Sequence, residues 1–195
     1  MIKPKKSLGQ NFLFDNNIIK IITESVNIFD KYILEIGPGT GNLTGVLLKK
    51  KPKKFYVIEK DNNLASLLKK KFGNQLDIIN KDVLDLLSNE KLIVFGNLPY
   101  NISTEILCKW VLNLRNDRIW FTDLVLMFQK EVADRIISEY NTSTYGRLTV
   151  LANWRLNIKK IIDIKPDSII PKPKVDSSLL LFSPKQNFTH LKNPY

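Results

Sequence analysis

The segment GNLPYNIST, residues 96–104, combines an amide, a proline and an aromatic ring directly after a run of apolar residues. A strand that only has to turn needs no more than a Gly or an Asp at this point. The Asn97 side-chain oxygen and the Leu98 carbonyl, which Pro99 keeps out of a regular ladder, can accept both hydrogens of an amine. Tyr100 can stack on the ring that carries this amine. The segment therefore predicts a surface that binds a flat polar group.

A glycine-rich turn lies closer to the N-terminus, in EIGPGTGNLT at residues 35–44. Glycines there let the backbone approach a ligand, and the helix that follows offers free N–H groups. The spacing G-x-G-x-G differs from the dinucleotide fingerprint G-x-G-x-x-G, and no Gly-Lys-Ser/Thr follows as it would in a P-loop. Gly37 is the candidate ligand contact of this turn, and a purely structural tight turn is the alternative.

Two acidic residues stand at the ends of later apolar segments. Glu59 ends FYVIE, 22 residues after Gly37, and Asp82 lies in NKDVL. Glu59 can accept both hydroxyls of a ribose, and Asp82 can accept from an adenine amino group with Val83 against the ring. Taken singly, Glu59 could be a solvated acid next to Lys60, and Asp82 a helix cap. Together these positions indicate an adenosyl ligand without a diphosphate.

An adenosyl ligand beside GNLPYNIST indicates that the flat polar group is a nucleobase. The lone pair of an exocyclic amine is normally delocalised into the ring. Two acceptors that pull the amine hydrogens out of the ring plane, at Asn97 and Leu98, would localise that pair towards an incoming methyl group. No charged general base is needed before such an attack. A Pro-Tyr turn with structural duties only is the local alternative.

Periodicity predicts the elements that position these residues. Short apolar strands alternate with helical patterns, which indicates a parallel sheet covered on both faces. Asp15 is the predicted cap of the first helix, and a short helical turn follows Asp82. The predicted strands are 32–36, 55–58, 76–79, 92–95 and 124–128, and the predicted helices are 41–50, 62–72, 103–114 and 130–138. The runs 158–164 and 178–182 have no helix between them, so we expect them to be antiparallel neighbours.

The candidate ligand residues follow consecutive predicted strands. Gly37 follows the first strand, Glu59 the second, Asp82 the third and Asn97 the fourth. Ligands of open parallel sheets bind outside the carboxyl ends of the strands. The order of the strands therefore brings all four residues to one edge of the sheet.

The charge of the chain points to a polyanionic partner. Thirty Lys and Arg against 19 Asp and Glu give a net charge of +11 and a pI near 9.6. Such an excess favours nucleic acid or an anionic membrane surface, with a generally lysine-rich composition as the alternative. Runs of lysine at the predicted helix ends are interpreted as solvated. The candidates for phosphate contacts are Lys3, Lys5, Lys6, Arg147, Arg155, Lys172 and Lys174.

Other sequence features narrow the class of protein. No apolar run approaches the roughly 20 residues that span a bilayer, and the N-terminus lacks the apolar core of a secretory signal. The single cysteine, Cys108, excludes an internal disulfide and a multi-cysteine metal site, so we expect no metal and a reducing cytoplasmic setting. The only histidine, His190, lies in the irregular segment after Phe182 and receives no role.

The sequence resembles the KsgA/RsmA family of ribosomal RNA adenine dimethyltransferases. The resemblance covers residues 5–182. It rests on the residues already described at Gly37, Glu59 and Asp82 and on the following blocks: GQNFL at 9–13, EIGPGTG at 35–41, FGNLPYNIST at 95–104, KEVADRI at 130–136, YGRLTVLA at 145–152 and PKPKVDSSLL at 171–180.

This resemblance implies a Rossmann-like class I methyltransferase fold, with a mostly parallel seven-stranded sheet, helices on both faces and an antiparallel C-terminal strand. It implies S-adenosylmethionine as methyl donor and S-adenosylhomocysteine as product. By their motifs, Asn11 and Leu13 would lie over the cofactor, and Asn97 would serve both the cofactor edge and the transfer site. Gly37 would contact the methionine part, Glu59 the ribose, Asp82 with Val83 the adenine, and Asn97, Leu98, Pro99 and Tyr100 the target adenine, beside a second aromatic residue that the sequence does not identify.

The resemblance also implies the substrate and the domain organisation. Family members modify two adjacent adenosines near the 3′ end of small-subunit rRNA during ribosome biogenesis, so the implied partner is this rRNA or the immature 30S subunit. We expect a cytoplasmic monomer that does not bind membranes. The family continues into a small helical domain, so we expect a methyltransferase domain at 1–183 and a tail at 184–195 that begins a missing or lost domain.

Three other functions compete with this interpretation. An Erm-type methyltransferase of large-subunit rRNA more often has Ile where Leu98 stands. A non-catalytic nucleic-acid-binding protein on the same scaffold is disfavoured by the intact Asn97-Leu98-Pro99-Tyr100 sequence. A nicotinamide dehydrogenase is disfavoured by the glycine spacing and by the position of His190.

Overall fold

The structure is a computed structural model that describes residues 4–5, 9–79, 90–114 and 119–186. The helices are α1 (Asn16–Glu24), α2 (Asn42–Lys49), α3 (Asn62–Phe72), α4 (Ser103–Asn113), α5 (Lys130–Ile136) and α6 (Arg147–Arg155). The strands are β1 (Phe12–Leu13), β2 (Tyr32–Ile36), β3 (Lys54–Ile58), β4 (Asp77–Ile79), β5 (Leu92–Asn97), β6 (Phe121–Gln129), β7 (Leu156–Ile164), β8 (Ile169–Ile170) and β9 (Ser177–Pro184).

The central sheet has seven strands in the order β4-β3-β2-β5-β6-β9-β7. The first five of these strands are parallel, while β9 runs antiparallel to both β6 and β7. This confirms the predicted parallel sheet and the predicted antiparallel pairing of the last two strands. The sequence boundaries are close as well, although β6 and β5 are longer than predicted and α5 ends at Ile136 instead of residue 138.

The central strands β2, β5 and β6 bury both of their faces, as their largely apolar sequences require. Successive residues alternate between two cores: Leu34 packs with the core beneath α4, α5 and α6, and Ile33 with the core beneath α1, α2 and α3. Trp110 of α4 and Trp120 meet edge to face, with ring centroids 5.2 Å apart, in the first core. The strands that carry the candidate site residues are therefore packed against a hydrophobic core on each face of the sheet.

Helix α1 begins where the sequence predicts, because Asp15 satisfies the free N–H groups of its first turn. The Asp15 carboxylate accepts from Asn17 N at 2.9 Å and from Ile18 N at 3.3 Å. Its second oxygen accepts from the Ser168 hydroxyl at 2.9 Å, so the same side chain ties the helix to the loop after β7.

Three of the described elements were not predicted from the sequence: β1, β8 and α6. Strand β1 pairs antiparallel with β8, and each strand has two residues, which is too short for any periodic signal. Helix α6 contains an Arg155 that is 7% exposed, so a charged residue lies on its buried face and obscures the helical pattern. Within the described ranges, no helix is both long enough and apolar enough to cross a membrane.

Candidate active site at the carboxyl edge of the sheet

The glycine turn after β2 has a backbone that other residues adopt only at a cost. Gly37, Gly39 and Gly41 have φ angles of 65°, 57° and 78°. A Cβ on Gly39 would lie 2.6 Å from the Phe12 ring, and one on Gly41 would lie 2.7 Å from the Phe72 ring. The Gly37 N–H donates to the Ile58 carbonyl at 2.9 Å. The turn is therefore packed closely by the Phe12 and Phe72 rings, and it leads directly into the N-terminus of α2.

A cleft lies beside this turn. It brings together four of the predicted site residues, Asn11, Leu13, Gly37 and Asn97. Glu35 and Met127 also line it. The cleft is situated at the carboxyl ends of β2 and β5, where the strand order predicts a ligand site.

Glu59 is a buried carboxylate and not the solvated acid of the alternative interpretation. It is 6% exposed. One oxygen accepts from Asp61 N at 2.9 Å, and the other accepts from Gly39 N at 3.4 Å. Burial raises the pKa of Glu59 above its ordinary value, and the backbone donors oppose this shift. The glycine turn and the predicted ribose-binding acid thus contact each other directly.

Glu35 is a cleft residue to which the sequence analysis assigned no role. It lies inside β2, is 2% exposed, and accepts from the Thr44 hydroxyl at 2.7 Å. Burial is the main cause that raises its pKa to about 8; the hydrogen bond from Thr44 opposes this shift, and the nearby Glu59 carboxylate adds to it. The signal in the sequence was an acidic residue within the otherwise apolar strand YILEI, directly before the glycine turn.

The N-terminal segment crosses the glycine turn and joins it to β5. The Asn97 amide donates to the Asn11 carbonyl at 2.6 Å, and the Asn42 amide donates to the Leu13 carbonyl at 2.9 Å. The Asn11 amide itself donates to the Gly9 carbonyl at 3.2 Å. Asn11 and Leu13 therefore lie over the cleft through backbone contacts, and the Leu13 side chain is buried.

Asp61 anchors the beginning of this segment. Its carboxylate lies 2.8 Å from the Lys5 ammonium and accepts from the Gln10 amide at 3.1 Å. The hydrogen bond from Lys5 holds the pKa of Asp61 below its usual value. Lys5, a predicted phosphate contact, instead pairs with a side chain that is 2% exposed. Arg155, another such candidate, is wrong for that role because it is buried and donates to the Val111 carbonyl at 3.3 Å.

Asn97 ends β5 with its two side-chain atoms in different environments. The amide nitrogen donates to Asn11, whereas the side-chain oxygen is buried and has no hydrogen-bond partner among the described residues. A buried acceptor without a donor is costly in a folded protein. The Asn97 oxygen is therefore a candidate acceptor for a hydrogen bond from a ligand, such as the amine predicted from the sequence.

The rest of GNLPY leads into α4, which begins at Ser103. Leu98 as a whole is 1% exposed and belongs to the buried core that also contains Val94 and Ile106. The Pro99 carbonyl accepts from Ile102 N and Ser103 N, both at 3.0 Å. The Tyr100 hydroxyl lies 2.7 Å from the Ser177 hydroxyl of β9. Burial raises the pKa of Tyr100, and the Ser177 hydrogen bond opposes this shift.

Some of the predicted residues lie outside the described residues: Asp82, Val83, the helical turn after Asp82, Lys3, Lys6 and His190. The unidentified second aromatic residue also stays a prediction, although Phe12 lines the cleft from β1. In the parts of the chain that the structure describes, no three His, Cys, Asp or Glu side chains are grouped so that they could hold a metal ion.

The fold and the cleft define a class of protein, the S-adenosylmethionine-dependent methyltransferases. A similar structure is TrmK of M. capricolum in complex with S-adenosyl-homocysteine, with a TM-score of 0.56, 13% identity, and coverage of 93% of this chain and 73% of the other. A dimethyladenosine transferase from Plasmodium falciparum is more similar, with a TM-score of 0.80, 32% identity and coverage of 89% and 63%. The 23S rRNA methyltransferase ErmE has a TM-score of 0.78, 25% identity and coverage of 91% and 71%.

The sequence comparison is more specific. Residues 1–193 match the family model described as ribosomal RNA adenine dimethylase. The chain is 62% identical to the ribosomal RNA small subunit methyltransferase A of Pelagibacter ubique, covering 99% of this chain and 75% of the relative. It is 44% identical to the protein of the same name from Wolbachia pipientis, with coverage of 94% and 71%. The chain belongs to the ribosomal RNA adenine dimethylase family.

Proposed function

We propose that this chain transfers methyl groups from S-adenosylmethionine to the N6 atoms of two adjacent adenosines near the 3′ end of small-subunit rRNA. The buried, unpartnered Asn97 oxygen is the observation that carries the proposal, because a target amine would supply the donor that it lacks. The 62% identity to a small subunit methyltransferase, against 25% to ErmE, favours small-subunit over large-subunit rRNA.

The cleft residues fit the cofactor, together with Glu59, which does not line the cleft but accepts from Gly39 N of the adjoining glycine turn. Gly37 would contact its methionine part, Glu59 its ribose, and the segment of Asn11 and Leu13 would cover it. The glycine turn supports this fit because its backbone can approach a ligand closely. Bound S-adenosylmethionine would supply an electrophilic methyl group. The adenine contacts of Asp82 and Val83 remain part of the proposal.

The proposed role of Asn97 is to orient the target amine. Its oxygen would accept one amine hydrogen and the Leu98 carbonyl the other, which directs the nitrogen lone pair towards the methyl group. The amine nitrogen would accept the methyl group that bound S-adenosylmethionine supplies, with the sulfur keeping the electron pair of its bond to that group. The amine proton would pass to water. Tyr100 would stack on the adenine and hold it during this transfer.

The natural substrate in this proposal is the immature 30S subunit, bound by a cytoplasmic monomer. Unmethylated small subunits and, in a separate reaction, unmethylated large subunits are incubated with the chain and labelled S-adenosylmethionine, and the methylated bases are mapped. We expect label on two adjacent adenosines of small-subunit rRNA and none on large-subunit rRNA. Label on large-subunit rRNA alone would instead support the Erm-type alternative.

A further inference from the structure

The block PKPKVDSSLL at 171–180, one of the motifs on which the family resemblance rests, has no role in the site described so far. It leads into β9, whose first residue, Ser177, is 0% exposed. The Ser177 hydroxyl lies 2.7 Å from the hydroxyl of Tyr100, 77 residues earlier in the chain. We propose that Ser177 is a positioning residue that aligns the Tyr100 ring for stacking on the target base. The inference rests on the proposed function, in which Tyr100 stacks on this base.

Ser177 can act as a fixed point because strands hold it on both sides. It pairs with Gln129 of β6 and with Ile164 of β7. The carbonyl of the preceding residue, Asp176, accepts from Lys130 N at 2.9 Å. Strand pairing on both sides and the hydrogen bond at Asp176 therefore fix the backbone of Ser177, which gives the Ser177 hydroxyl a defined position.

The other end of Tyr100 is held by the beginning of α4. The Ser103 hydroxyl donates to the Tyr100 carbonyl at 3.3 Å, and Pro99 accepts from the first N–H groups of the helix. The phenolic oxygen lies on the long axis of the ring. A hydrogen bond at this oxygen therefore fixes the direction of that axis, while rotation about the axis stays open to the incoming base.

A variant set tests this coupling by single-turnover methyl transfer to unmethylated small subunits. Ser177→Ala and Tyr100→Phe should each reduce the rate about threefold to tenfold, because the ring must then be ordered during binding. Their double variant should lose no more than either single variant. Ser177→Thr, which keeps the hydroxyl, should restore most of the rate.

Ser178→Ala is the matched control. Ser178 is also 0% exposed, but its hydroxyl donates to Asp163 at 2.6 Å and not to Tyr100. Equal losses in Ser177→Ala and Ser178→Ala, additive losses in the double variant, or a wild-type rate in Ser177→Ala would each overturn the positioning role. If the wild-type chain transfers no methyl group to small subunits, the proposed function fails first and this inference fails with it.

A second inference comes from a different surface, the loop between α5 and α6. Tyr140 and Tyr145 are 84% and 39% exposed. Their rings meet edge to face, with centroids 5.6 Å apart and an interplanar angle of 85°. At this exposure Tyr140 contributes little buried area to folding, so its ring is available to a partner.

Hydrogen bonds among side chains order this loop. The Ser138 hydroxyl lies 2.7 Å from the hydroxyls of both Thr142 and Thr144. Tyr145 N donates to the Thr142 carbonyl at 3.1 Å. The tyrosine rings are therefore displayed on a formed loop, which reduces the ordering cost of binding.

Two arginines lie close to these tyrosines in the chain, Arg147 two residues after Tyr145 and Arg135 five residues before Tyr140. Arg147, the first residue of α6, is exposed, and so is Arg135. The Thr149 hydroxyl donates to the Arg135 carbonyl at 2.5 Å, which places the end of α5 against the first turn of α6. Glu139 is an exposed acidic residue in the same loop. Open aromatic rings beside guanidinium groups are typical of sites for single-stranded nucleic acid. We propose that Tyr140 stacks on an unpaired base of the RNA substrate, with Arg147 at a phosphate.

The test measures the affinity of the chain for a labelled single-stranded RNA ten-mer by fluorescence anisotropy at several salt concentrations. Tyr140→Ala should weaken binding about tenfold, and Arg147→Ala should reduce the salt slope by about 0.7. Phe29→Ala, which removes another aromatic ring that is 63% exposed, is the control and should bind as the wild type does. Wild-type affinity in Tyr140→Ala, or an equal loss in Phe29→Ala, would overturn this proposal. Methylation of small subunits is assayed in parallel, so a failure of the proposed function is seen separately.

Discussion

The two sides of the candidate site are built differently. On the cofactor side, the glycine turn, Glu59 and α2 follow one another closely in the chain and meet through backbone groups, as in the hydrogen bond from Gly39 N to Glu59. On the base side, Asn97 depends on Asn11, 86 residues away, and Tyr100 contacts Ser177, 77 residues away. The glycine turn and Glu59 thus lie within one continuous stretch of the chain, whereas the base side is assembled from distant segments.

The largest effect is expected on the base side. Asn97→Ala removes the buried acceptor proposed to hold the target amine, so it should reduce turnover on the order of 10²–10³-fold. Affinity for either substrate should change less. Single-turnover transfer at saturating S-adenosylmethionine measures the rate. Asn101→Ala, which removes an exposed amide from the same turn, is the control. An unchanged rate in Asn97→Ala would show that Asn97 does not hold the amine and that the segment GNLPYNIST has only a structural role.

The next effect is the pH dependence of folding stability that arises from Glu35 on the cofactor side. The pKa of Glu35 is raised to about 8 from 4.5, so the folded protein binds a proton that the unfolded chain releases. Stability should therefore fall as pH rises from about 4.5 to 8, by up to ~1.4 kcal/mol per pH unit. Glu35→Gln should flatten this part of the profile. Urea unfolding at several pH values measures it, and an unchanged slope in the variant would exclude Glu35 as its source.

Glu59→Ala addresses the ribose contact. Loss of a hydrogen bond to a charged group costs roughly 1.5–3 kcal/mol, which would weaken S-adenosylmethionine binding about 10- to 150-fold. Calorimetric titration measures the affinity. Glu131→Ala removes an exposed acid of α5 and should leave the affinity unchanged. A folded Glu59→Ala protein with wild-type affinity would remove this residue from the site.

The smallest expected effect is that of Gly39→Ala. The added methyl group would meet the Phe12 ring, and φ at this position is +57°. We expect a loss of about 1–2 kcal/mol in unfolding free energy, together with weaker cofactor binding because Phe12 has to move. Gly146→Ala is the control, since a Cβ there has no neighbour within 4 Å. Equal stability losses in the two variants would show that the contact with Phe12 is unimportant.

The sequence alone was sufficient to predict the parallel sheet, the boundaries of several elements and the edge of the sheet at which the candidate site lies. Unbroken apolar strands alternating with helices predicted the parallel sheet, and the boundaries of Tyr32–Ile36 and Asn62–Phe72 were predicted without error. The motif residues were placed at one edge because parallel strands deliver their carboxyl ends together. These features could be predicted from the sequence because strand burial and glycine turns depend on residues that are neighbours in the chain.

The tertiary structure decided what distant segments contribute. The exposure of a charged residue is set by packing, so only the structure distinguished the buried Glu59 and Arg155 from solvated charges. The pairing of β1 with β8, the bond from Asn97 to Asn11 and the contact of Tyr100 with Ser177 join residues far apart in the chain. Such contacts have no periodicity in the sequence, because they depend on where the sheet brings its segments together and not on the residues beside them.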